Sequence, residues 1–91
     1  MVFVCRECKG HRRLEKYLDT KTEAEVKRVG CQKVCDEPAA GLRVGGRMEW
    51  FGRLDGKQRL AALARLVAGE GTIPKVLDKV RSAKQSGRSP R

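Results

Sequence analysis

The chain has 91 residues, enough for one small domain and no second core. Twenty-one Lys and Arg against eleven Asp and Glu give a net charge of +10, and the only aromatics are Phe3, Tyr17, Trp50 and Phe51. The core must therefore be built from Leu, Val and Ala, and a chain this size buries only roughly 60–65% of its unfolded surface, so a metal crosslink would supply a large share of its stability. The charge attracts polyanions or an acidic protein partner. It is spread along the chain rather than gathered into a nucleic-acid-binding block.

In chain order, "VFVC" (2–5) is a short β-branched and aromatic run that stops at "CRECKG", a buried strand feeding a turn. "HRRLEKYLDT" (11–20) places Leu14, Tyr17 and Leu18 on one helical stripe. "EVKRVGC" admits a helix capped by Thr22 and Glu25. A strand ending at Gly30 is favoured, because it completes a strand–helix–strand unit. In "GLRVGGRMEWFGRL", Leu42 and Val44, then Met48 and Trp50, alternate with their neighbours across Gly45-Gly46. That predicts a hairpin with a type I′ turn. Asp55 with Gln58 predicts the cap of a helix whose stripe is Leu60, Leu63, Ala64 and Val67. Thr72 predicts the cap of a last helix carrying Ile73, Val76, Leu77 and Val80. Residues 82–91, "SAKQSGRSPR", read as a mobile basic tail behind a domain spanning 1–81.

This order predicts an α/β sandwich. The crossover rule makes the first two strands parallel, and the hairpin adds antiparallel strands to the same sheet. Arg6 interrupts the only apolar run near the start, so no signal peptide is read. "LAALARLVAG" is too short to span a bilayer, and a cytoplasmic location without membrane contact is expected. In such a reducing compartment, four cysteines suit metal ligation or thiol chemistry better than structural disulfides.

Cys5 and Cys8 straddle the turn after the first strand, and Cys31 and Cys35 straddle the turn after the second. Parallel strands put both turns at one end of the sheet, so the four sulfurs are expected to meet. Pairs separated by two and three residues chelate well but do not name the metal: Zn²⁺ and a 2Fe-2S cluster both take four thiolates. His11 follows closely enough to act as a substitute ligand, though a histidine at a helix start is more often a surface or capping residue. Trp50 and Phe51 point to opposite sheet faces and read as core.

The run from "VFVC" through "VGCQKVCDEP" to "GGRMEWFGRL" resembles the thioredoxin-like 2Fe-2S ferredoxins, a family that includes the small iron–sulfur subunit of respiratory NADH dehydrogenase. The resemblance covers roughly residues 1–68 and is most specific at Cys31, Cys35 and Pro38. It implies a thioredoxin-like βαβ-ββα sandwich with a mixed four-stranded sheet and an extra C-terminal helix. It also implies a 2Fe-2S cluster on Cys5, Cys8, Cys31 and Cys35, serving a one-electron carrier rather than an enzyme.

The expected partner is a redox protein with an acidic docking face that meets a rim of Arg6, Glu7, Gln32 and Lys33. Arg6, Lys9 and Lys33 would favour the reduced cluster. A homodimer and nucleic-acid binding stay open without being favoured. Two rival readings stand beside the carrier. One is a Cys₄ zinc module for nucleic-acid or protein interaction. The other is a thioredoxin-like C-x-x-C thiol oxidoreductase, which leaves Cys31 and Cys35 without a task.

Overall fold

The computed structural model describes residues 1–30, 37–69, 71–82 and 85–87. The chain forms β1 (Val2–Cys5), α1 (His11–Lys21), β2 (Val26–Val29), β3 (Ala40–Val44), β4 (Arg47–Phe51), α2 (Lys57–Val67) and α3 (Lys75–Asp78). The strands make one open mixed sheet in the order β2-β1-β3-β4. β1 runs parallel to β2 with Cys5 opposite Val29, and antiparallel to β3 with Val4 opposite Ala40. β3 and β4 are the expected hairpin. Gly45 and Gly46 have φ of 60° and 84°, the left-handed values a type I′ turn requires at both central positions. The fold is therefore α/β with three helices and a mixed four-stranded sheet.

Alternation along the strands divides the side chains between two faces. Val2, Val4, Ala40, Leu42 and Phe51 join Leu14 and Leu18 of α1, Leu60, Ala62, Leu63 and Leu66 of α2, and Leu77 of α3 in one core. The opposite face carries the row Phe3–Gly41–Trp50, directly paired across three strands. Trp50 is fully buried, and its ring lies 6.5 Å from that of Phe3. A Cβ on Gly41 would fall 2.5 Å from atoms of the indole ring. Trp50 can lie across β3 only because residue 41 has no side chain. Cys5 shares this face, two positions beyond Phe3.

Several local expectations give way to tertiary packing. The strand favoured for the stretch ending at Gly30 is present as β2, and the alternative helix cap at Thr22 is not: its hydroxyl donates to the Leu18 carbonyl at 2.6 Å and closes α1. The α2 N-cap is Gly56 and the α3 N-cap is Pro74, neither with a side-chain cap hydrogen bond, so Asp55 and Thr72 do not cap as expected. Asp55 instead approaches Arg59 at 3.8 Å. The buried stripe of α2 includes Ala62 and Leu66 in place of Ala64 and Val67, because both α1 and α3 pack against it.

The stretch read as a mobile tail is partly bound to β4. Ser82 N–H donates to the Trp50 carbonyl at 2.7 Å, and Trp50 N–H donates to Ser86 Oγ at 3.1 Å. Gly87 N–H donates to the Met48 carbonyl at 2.5 Å. Polar groups hold this segment by satisfying an edge strand, which explains why a reading based on apolar content misses it. The buried Glu49 adds a second tie, its carboxylate lying 3.3 Å from Arg47 Nε and 3.2 Å from Arg81 Nε. Residues 83–84 and 88–91 lie outside the described residues.

Gly41→Ala is expected to lower stability by about 1–3 kcal/mol, since the new methyl must displace the indole ring. Urea unfolding followed by Trp50 fluorescence measures this. An unchanged midpoint would show that the ring has room to move.

Candidate functional site

The site starts where β1 ends. Cys5 is the last residue of the strand, and the chain then turns sharply: Cys8 N–H donates to the Cys5 carbonyl at 3.3 Å, and His11 N–H donates to the Cys8 carbonyl at 3.3 Å. Gly10 closes the turn at φ 83° and is the N-cap of α1. That left-handed conformation suits glycine, and the residue faces the Pro38 ring. The peptide bond preceding Pro38 is cis.

Two neighbouring segments are stitched to this turn. Arg6 N–H donates to the Val29 carbonyl at 2.9 Å, which fixes the end of β2 beside it. Cys5 N–H donates to the Ala39 carbonyl at 3.1 Å, which fixes the entry to β3 on the other side. Cys5, Cys8 and Ala39 form a small buried cluster separate from the main core. The chain thus leaves the described residues at Gly30 and re-enters at Glu37, close to Cys5 on both sides.

Cys5 and Cys8 are free thiols, 2% and 8% exposed, joined by a side-chain hydrogen bond. Burial, followed by the adjoining Cys5 thiol, pushes the Cys8 thiol up to about 12. The Ala39 N–H points at the Cys8 sulfur and pulls the other way, while the Glu37 carboxylate raises it further. Ionisation of Cys8 is therefore disfavoured without a cation nearby. A bound metal supplies that cation, and the Ala39 amide is already oriented toward a thiolate.

Sequence reasoning foresees Cys5 and Cys8 at a strand–turn–helix junction, and the structure brings them together. The other two proposed ligands, Cys31 and Cys35, and the rim positions Gln32 and Lys33, lie outside the described residues. Among the described residues, no group of three or more His, Cys, Asp or Glu side chains is arranged to hold a metal. Arg6 and Glu7 are exposed on the turn, 3.6 Å apart. The Ala39 amide is a contributor the sequence does not reveal, because only the β1–β3 pairing carries it to Cys8.

His11 is engaged elsewhere. Its Nδ1 lies 2.7 Å from Glu15 Oε2, and the other Glu15 oxygen accepts from Arg28 Nε on β2. Burial raises the Glu15 carboxyl, but the hydrogen bonds from Arg28 and His11 outweigh it and hold the group below its ordinary value. The network ties α1 to β2 just beneath the cysteine turn.

No protein-family model matches this chain, and no curated protein or solved structure matches it significantly. Among the described residues, no helix is long and apolar enough to cross a membrane.

Because Glu15 is more acidic folded than unfolded, its contribution is complete above the ordinary carboxylate range and fades as pH falls through the folded-state value. Glu15→Gln is expected to cost about 1 kcal/mol at pH 7. The difference from the parent chain should shrink steadily below about pH 4.5. Thermal melts across pH 3–7 measure it, and a gap independent of pH would assign the loss to packing instead.

Proposed function

We propose that this chain is a one-electron carrier whose Cys5, Cys8, Cys31 and Cys35 hold a single 2Fe-2S cluster. The observation that carries this reading is the pairing of buried Cys5 and Cys8 at a turn hydrogen-bonded to Val29 at the end of β2 and to Ala39 at the entry to β3. Cys31 follows Gly30 directly, and Cys35 precedes Glu37 by two residues.

The strand order, the parallel β1–β2 pair and the proline leading into β3 agree with the thioredoxin-like scaffold that the sequence resembles. When bound, the cluster would supply reversible one-electron chemistry. The protein's part is to surround it. Cys5 and Cys8 present two thiolates from one tight turn, the Ala39 N–H directs its dipole at sulfur, and the buried cluster around Cys5 keeps water away from one side. Exposed Arg6 and Lys9 place positive charge beside an anionic centre and offer a rim to an acidic redox partner.

The thiol-oxidoreductase reading needs an accessible sulfur with a lowered pKa. Cys5, the first thiol of the pair and the one that would attack, is only 2% exposed.

Anaerobically purified protein is expected to be red-brown, to bleach on dithionite, and to contain about two irons and two acid-labile sulfides per chain. Cys5→Ser or Cys8→Ser should remove most of the colour, and chelating the metal should lower the melting temperature. A colourless chain with one zinc would replace the carrier with a zinc-stapled module. Colour that survives both substitutions would overturn the ligand set.

A further inference from the structure

The sheet covers one edge and leaves the other bare. Along β4 the segment after α3 lies in place of a fifth strand, with Gly52 N–H donating to the Val80 carbonyl at 2.9 Å and Ser82, Ser86 and Gly87 continuing the contact. At the opposite edge, no strand lies beside β2 among the described residues. The ladder with β1 shows what is left over. Val2 N–H donates to the Glu25 carbonyl at 2.8 Å, and Arg6 N–H to the Val29 carbonyl at 2.9 Å. Bonding direction alternates along a strand, so Glu25, Lys27 and Val29 face β1. The N–H and C=O of Val26 and Arg28 therefore face outward.

A groove of about 710 Å³ runs between this edge and α1, lined by Arg12, Lys16, Lys27 and Arg28 together with Glu15 and Asp19. Glu15 is already occupied by Arg28 and His11, so the groove is cationic on balance. The charge also selects among occupants. A second copy laid in register along β2 would bring Lys27 and Arg28 against their own counterparts, the device by which edge strands discourage self-pairing. A nucleic-acid backbone offers phosphate acceptors but no regular donors for the Val26 and Arg28 carbonyls. An extended acidic polypeptide satisfies the ladder and the lysines together.

We propose that the outer edge of β2 is the docking site for an acidic, extended segment of a partner protein. That segment adds a strand beside Val26 and Arg28 and sets its carboxylates against Arg12 and Lys16 of α1. That the partner is a redox protein rests on the carrier reading; the edge itself does not. β2 runs directly into Gly30 and Cys31, so a strand added here would bring the partner alongside the thiol site.

The test is an NMR titration of the full chain with a synthetic peptide of alternating threonine and glutamate. A threonine–lysine peptide and oligothymidylate serve as comparison probes. The acidic peptide is expected to slow hydrogen exchange at the Val26 and Arg28 amides. Reversing both Arg12 and Lys16 to Glu should weaken it about tenfold. Val26→Pro should abolish binding while sparing the β1 ladder, because the lost N–H points outward. If that variant does not fold, the charge reversal decides alone. Absence of amide protection, an equal response to the lysine peptide, or occupation of the groove by oligothymidylate without change at those amides would each overturn the proposal. The visible spectrum of the same sample separates the two readings. Colourless protein that binds the peptide keeps the edge and removes the carrier, whereas coloured protein that ignores it does the reverse.

Discussion

The parallel pairing of β1 with β2 is the constraint on which the site depends. With Cys5 opposite Val29, both strands finish at the same end of the sheet, and the chain beyond Gly30 must begin beside the Cys5 turn. The antiparallel partner on the other side, β3, starts from Ala39, whose carbonyl is bonded to Cys5 N–H. A shift of one residue in the β1–β3 ladder would reverse the face on which side chains emerge relative to β3, removing Cys8 from the Ala39 amide. The main core maintains that register through Val2 and Val4, which pack against Leu14 and Leu18 of α1. Apolar packing and thiol placement are thus set by alternate residues of one four-residue strand.

Electrostatics gives the thiol pair its direction. Burial and mutual proximity oppose ionisation at Cys8, and Glu37 adds to that opposition, while the Ala39 dipole alone favours a thiolate. A cation held by both sulfurs would offset that opposition. Farther out, Arg6 and Lys9 on the turn and the Lys16, Lys27 and Arg28 group on α1 and β2 give this part of the molecule a positive field suited to an acidic partner. The same cations discourage two copies from joining along β2.

Much of the frame was legible in residue patterns. The β-branched run at Val2–Cys5, the Leu14 and Leu18 stripe, and the Gly45-Gly46 turn each express a short-range rule, and each appears as expected. The helix starts at α2 and α3 were not legible, because burial against the sheet decided them without help from Asp55 or Thr72. The binding of Ser82, Ser86 and Gly87 to β4 was hidden for a different reason: it rests on backbone groups and one serine hydroxyl rather than on apolar side chains. Within the site, Cys5 and Cys8 could be read from their spacing around a turn. The Ala39 amide and the open edge of β2 follow from long-range strand pairing, and Gly41 shows its importance only once Trp50 lies over it.

Anaerobic native mass spectrometry tests the shared four-sulfur centre most directly. The account predicts a chain mass increased by two irons and two sulfides, with the adduct lost when any one of Cys5, Cys8, Cys31 or Cys35 is replaced by Ser. A bare chain from metal-replete cells, or an adduct that persists after both Cys31 and Cys35 are replaced, would contradict it.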